Sequence, residues 1–121
     1  MSMPSDHLIR RFSIASTLMG WNICAEVLSL PRGISISLYG GDAPHIGAVA
    51  VLSPEGEIIL SQFSGHKEGE ICQAWALSLK QRGIMPAVIH AGIHYDQLSK
   101  AGIQQVLQTS DQLLNEVLAS L

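Results

Sequence analysis

The sequence predicts an α+β domain spanning residues 1–121, with a mainly antiparallel sheet in the order βββββαβα and two helices on one face. Three observations carry that expectation. As far as Phe63, short apolar or alternating segments are separated by turn-forming residues. After Gly65 the apolar spacing lengthens to that of a helix. A last strand-like run and a second helical run complete the chain, with no repeat, linker or low-complexity tract between them.

The first two strands are expected over 10–19 and 21–30, joined tightly at Gly20. Pro31-Arg32-Gly33 forms the next turn. Ile34, Ile36 and Leu38 alternate with Ser35, Ser37 and Tyr39, which gives a third strand one polar face. Gly40-Gly41-Asp42-Ala43-Pro44 cannot continue a ladder, and an apolar run over 46–52 follows it. Ser53-Pro54-Glu55-Gly56 turns the chain back through 57–63 as a hairpin. Ile71, Ala74, Trp75, Ser78 and Leu79 then mark the buried stripe of a helix that runs to about Arg82 and ends at Gly83. A final strand covers 87–93. From Ser99, whose hydroxyl suits a helix N-cap, Ile103, Val106, Leu107, Leu114, Val117, Leu118 and Leu121 define a second amphipathic helix.

Composition narrows the function. The 121 residues are 47% hydrophobic and only 14% charged, which suits a packed core rather than a disordered chain. So little charge leaves apolar surface that an oligomer would cover. The formal net charge of -3 and the 7 Lys+Arg offer no basic field for a nucleic-acid backbone. No uninterrupted apolar stretch reaches the ~18 residues of a membrane span, and the N-terminal run lacks the apolar centre of a signal peptide. A cytoplasmic protein is expected. Cys24 and Cys72 cannot form a disulfide framework, and both read as small buried hydrophobes.

The chemistry concentrates in three loops. If 57–63 pairs back on 46–52, the Asp42–His45 loop falls beside Gly65-His66. A helical crossover and parallel return then bring His94-Tyr95-Asp96 to the same edge. His45, His66 and His94 would share one rim. Each loop also has a plainer explanation: a strand break at Gly40-Gly41-Asp42, a hydrogen-bonded edge residue at His45, and a solvated Lys67. Glu68 and Glu70 suit simple compensation of a helix dipole. The free amides of a helix start at His66-Lys67 offer an anion site. His90 and His94 on one strand lie ~13 Å apart and cannot share an ion; His90 reads as structural. A zinc site built from His45, His66, His94 and an Asp is the metal alternative. Trp21, at a strand connection, suits a subunit interface or a planar ligand.

At these loops the chain resembles the LpdD-like prenylated-flavin chaperone family, named for the small D protein that accompanies gallate decarboxylase. The resemblance is carried by Gly40-Gly41-Asp42-Ala43-Pro44-His45-Ile46-Gly47-Ala48-Val49, by Gly65-His66-Lys67-Glu68 and by Ala91-Gly92-Ile93-His94-Tyr95-Asp96. Tyr95 and Gln97 depart from it, standing where an apolar residue and an Asn are expected. The resemblance implies a non-catalytic homodimer with a fold similar to the proteasome assembly chaperones. It also implies binding of reduced prenylated FMN and its delivery to a UbiD-type decarboxylase. The cofactor-binding set it implies is Gly40, Gly41, Asp42, Pro44, His45, Gly47, Gly65, His66, Lys67, Gly92, His94 and Asp96, with Asp42 and Asp96 orienting the histidines. A metal-dependent enzyme or a scaffold that binds no small molecule are the competing expectations.

Overall fold

The structure, a computed structural model, describes residues 8–63 and 68–121. Its elements are β1 (Arg10–Leu18), β2 (Trp21–Leu30), β3 (Gly33–Gly41), β4 (Ala48–Leu52), β5 (Ile58–Gln62), α1 (Glu68–Gln81), β6 (Ala87–His94) and α2 (Lys100–Ser120). The β1–β2 connection is the two-residue turn Met19-Gly20, with φ of 51° and 81°. Positive φ at both positions is the type I′ geometry that matches the twist of a hairpin. A Schellman motif ends α1, with Gly83 N–H donating to Lys80 O and Ile84 N–H to Leu79 O.

The sheet order is β1-β2-β3-β6-β4-β5. β1, β2 and β3 form an antiparallel meander, and β4 and β5 a separate hairpin. β6 fits between the two groups, parallel to β3 and antiparallel to β4. The crossover through α1 therefore returns β6 parallel to β5 in direction, with β4 between them. All other pairings are antiparallel, and the sheet is largely antiparallel as expected.

Both helices cover the same face. Val27, Ile36, Ile89 and Ala50 stand opposite one another along the register of β2, β3, β6 and β4, and all four belong to one buried cluster. α1 packs over β4, β5 and β6, and α2 over β1 and β2. Trp75 of α1, fully buried, donates its indole N–H to Ser110 Oγ of α2 at 3.0 Å and ties the two helices together. Burial of such a side chain contributes about 1.5–3 kcal/mol.

The helical faces differ in detail from the expected stripes. In α1 the buried residues include Ile71, Cys72, Trp75, Ala76 and Leu79, while Ala74 is exposed and Ser78 half-buried. In α2, Leu113 and Ser110 join the core, whereas Ile103 is 37% exposed. The helix-free face of the sheet carries Ser35, Ser37, Glu26 and Tyr39 toward one edge and exposed Val51, Ile59 and Val88 toward the other. Cys24 lies on this open face, half-buried, so only Cys72 is the buried hydrophobe expected of both. Among the described residues no helix is long and apolar enough to cross a membrane.

Candidate functional site

The C-terminal ends of β3 and β6, the start of β4, the end of β5 and the first turn of α1 all meet at one end of the sheet. This is the edge at which the three loops are expected to converge. Asp42, His45 and His94 do come together there. Gly65, His66 and Lys67 lie outside the described residues.

Two imidazole–carboxylate pairs are held at this rim. His94 Nδ1 donates to Asp42 Oδ1 at 2.5 Å, and the Asp96 backbone N–H donates to Asp42 Oδ2 at 3.2 Å. The Asp42 amide donates in turn to the carbonyl of His94 at 2.9 Å. One aspartate thus latches the end of β6 through side chain and backbone together. The hydrogen bond from His94 holds the Asp42 carboxyl below its ordinary pKa, and the same bond raises that of His94. His94 Nε2 is left facing outward, 3.8 Å from Asp96 Oδ1.

In the second pair, His45 Nδ1 lies 3.1 Å from the carbonyl of Ala43, which can only accept, so Nδ1 carries a hydrogen. His45 Nε2 lies 3.1 Å from Oε1 of Glu68, whose side chain is only 7% exposed. The two imidazoles meet edge to face, with centroids 6.4 Å apart and planes at 74°.

The glycines make this assembly possible. A Cβ on Gly92 would collide with the carbonyl of His45, and one on Gly41 with that of His94. A Cβ on Gly47 would come 2.6 Å from Glu68 Oε2, and one on Gly40 2.5 Å from the carbonyl of Asn22. The close approach these residues permit is between one segment of the chain and another. Pro44 is exposed in the loop that joins Asp42 to His45.

Next to the pairs lies an apolar hollow of about 260 Å³ between α1 and α2. His45, Glu68, Glu70 and His94 form its polar side; Ile71, Ile93, Leu98, Ile103, Val106 and Leu107 form its apolar floor. A groove of about 410 Å³ adjoins it on the side of the β1–β2 turn, lined by Trp21, Asp42 and Asp96 among others. Trp21 is 49% exposed there. Tyr95, which lines both spaces, donates its hydroxyl to the carbonyl of Leu18 at 2.8 Å, and burial raises its pKa. Gln97 has a φ of 53°, a conformation that Asn tolerates well, which accounts for the Asn expected at that position.

Sequence reasoning missed Glu68 as a partner of His45 and missed the hollow's apolar lining, reading Ile103 as core. The signal for the lining was present in the α2 pattern, but nothing in the sequence separates an apolar residue over strands from one over a hollow. His90, expected to be structural, bonds Ser37 Oγ through Nε2 at 2.7 Å on the open face, away from the rim. Of the expected zinc set, His66 lies outside the described residues, while His45 pairs with Glu68 and His94 with Asp42. Among the described residues, the group whose donor atoms lie within 4.8 Å of one another is Asp42, His94 and Asp96.

Paired imidazoles beside an apolar hollow, on a helix-backed sheet, make this corner the candidate small-molecule site. Residues 17–121 match the model of the prenylated flavin chaperone LpdD-like domain, and the chain belongs to that family of non-catalytic, flavin-handling chaperones. No curated protein matches the chain.

Proposed function

We propose that this protein binds reduced prenylated FMN as cargo and delivers it, unchanged, to a UbiD-type decarboxylase. The observation that carries the reading is the convergence of the Asp42–His94 and His45–Glu68 pairs beside an apolar hollow. A reduced prenylated flavin has a large apolar body, a polar ring edge, and a need for shelter from oxygen. The hollow supplies an apolar floor, and the imidazoles supply donors at its mouth. Of the carboxylates around the hollow and its adjoining groove, Asp42 and Glu68 are each matched to an imidazole, and Glu70 and Asp96 are exposed to solvent.

Gly65, His66 and Lys67 directly precede Glu68, a residue of the hollow, and we assign them to the same site from that place in the sequence. Gly40, Gly41, Gly47, Gly92 and Pro44 serve by shaping the loops. The acting form is a homodimer in the cytoplasm, with the kinship to proteasome assembly chaperones that the family resemblance implies. Exposed Val51, Ile59 and Val88 on the helix-free face give a second copy an apolar surface to cover.

Anaerobic titration with reduced prenylated FMN tests the reading. Saturable binding that weakens on His45→Ala and His94→Ala, followed by activation of a cofactor-free decarboxylase, is the expected result. Failure to bind any reduced flavin overturns it.

A further inference from the structure

We propose that two copies of this chain join along the outer edge of β5, strand to strand, into one continuous sheet. The proposal deepens the homodimer reading above and rests on it.

The sheet ends in β1 on one side and in β5 on the other. An edge strand presents a row of backbone N–H and C=O groups, which proteins guard with charge, proline or a covering element. β1 is guarded. Arg10 and Arg11 open it, α2 packs against it, and the Arg10 guanidinium donates to the carbonyl of Ser120 at 3.0 Å. β5 carries no such device: Ile58-Ile59-Leu60-Ser61-Gln62 holds neither charge nor proline. α1 packs over β5, yet Leu60 stays 39% exposed and Ile59 60%.

The hydrogen-bond pattern says which groups the edge offers. Phe63 N–H donates to Gly47 O at 3.0 Å, and Glu57 O accepts from Ser53 N–H at 2.8 Å. Strand groups alternate with a period of two, so residues 57, 59, 61 and 63 turn their backbone toward β4. Ile58, Leu60 and Gln62 therefore turn theirs outward, where no strand lies among the described residues.

A second copy fits this row best. Antiparallel pairing about a two-fold axis at Leu60 sets Ile58 opposite the partner's Gln62 and Leu60 opposite the partner's Leu60. Every outward N–H then meets a carbonyl, and no other centre pairs all three residues within the strand. A bare edge of five residues is well short of the ~800 Å² that each partner gives a stable interface, so exposed side chains must be covered with it. The two-fold supplies them. Leu60 meets its own copy on the helix side, and Ile59 lies diagonal to the partner's Ile59 on the open side, within reach across a ladder. The strip Val88, Val51 and Ile59, which stops at β5 in one copy, runs on into the next.

Sedimentation and amide hydrogen exchange of the full-length protein, followed across concentration, test the proposal. The amides of Ile58, Leu60 and Gln62 should be protected only where the dimer is populated. Leu60→Pro deletes an N–H that bonds nothing within its own sheet and should weaken the dimer about tenfold or more, since each copy loses a bond of ~0.5–1.5 kcal/mol. Leu60→Lys, which keeps the strand intact, sets like charges opposite each other and should weaken it in the same direction. Both changes fall on the helix side, so a dimer formed through the open face survives them. A dimer whose edge amides exchange freely, or whose affinity is unchanged in both variants, overturns the edge and leaves the homodimer reading standing. Wild-type protein that stays monomeric overturns both. Edge amides protected only on adding a cofactor-free decarboxylase assign the edge to that partner and overturn the second copy.

Discussion

Gly92→Ala tests the construction of the rim most directly. The added methyl has no free space: it meets the backbone carbonyl of His45 and comes 3.0 Å from the amide of Ile46. Both neighbours are backbone atoms, so no side-chain rotamer can relieve the clash, and the loop carrying His45 must move. Two backbone bonds are at stake, Gly47 N–H to Ala91 O at 2.8 Å and the long His45 N–H to Gly92 O at 3.5 Å. Overpacking costs about 1–3 kcal/mol, and losing one good backbone bond adds ~1 kcal/mol. The expected destabilisation is roughly 2–4 kcal/mol, a large part of the ~5–15 kcal/mol that holds a domain together. Gly83→Ala is the control. Gly83 has a φ of 72° but nothing within 4 Å of its would-be Cβ, so only the left-handed backbone penalises Ala there, by about 1–2 kcal/mol. Urea unfolding of both variants gives the free energies, and imidazole NMR signals of His45 and His94 report the local geometry. The reasoning is refuted if Gly92→Ala is no less stable than Gly83→Ala and leaves those signals in place.

Three further outcomes are expected. The Asp42–His94 pair should make stability depend on pH. Because the pKa of His94 is raised, its share is present below the ordinary value of 6.5 and lost as pH rises through the raised one. Because that of Asp42 is lowered, its share is present above 3.8 and lost as pH falls through the lowered one. The pair is therefore strongest between those ordinary values, and Asp42→Asn should return the NMR titration of His94 toward normal; an identical titration in the variant counts against the pairing. Ser110→Ala leaves the buried Trp75 indole N–H without its acceptor and should cost about 1–3 kcal/mol, whereas a cycle with Trp75→Phe should show coupling of ~1 kcal/mol; strict additivity in urea unfolding would dismiss the bond. Met19→Asn places Asn-Gly in the type I′ turn and should raise stability by ~0.5–1 kcal/mol in thermal melts, and a loss of stability would contradict the turn assignment.

Much of this architecture is legible in the sequence because local chemistry specifies it. Gly20, Pro31-Arg32, Pro54–Gly56 and Gly83 punctuate the chain where the elements begin and end, and the Ser99 hydroxyl does accept from Gly102 N–H as an N-cap should. The pairing of β6 with both β3 and β4 is not legible, because choice among strand partners depends on contacts more than thirty residues apart in sequence. In α1 the core face takes Cys72 and Ala76 rather than Ala74 and Ser78; these small residues differ too little in hydropathy for spacing to separate them. At the rim, the meeting of Asp42, His45 and His94 follows from topology and could be anticipated. The choice of Glu68 as partner to His45 could not, since Gly47, the residue that leaves room for its carboxylate, falls within the apolar run over 46–52 and reads as part of a strand.

The position of β6 also has a bearing on synthesis. β3 and β4 face the same slot in the sheet and share no pairing until residues 87–94 arrive to fill it. While the polypeptide is still emerging from the ribosome, the meander and the hairpin each present a bare strand edge, the feature most prone to unwanted pairing with a neighbouring nascent chain. The stretch Ala87–His94 closes that slot and brings His94 to the rim in one step, so the segment that seals the sheet also forms the Asp42–His94 pair.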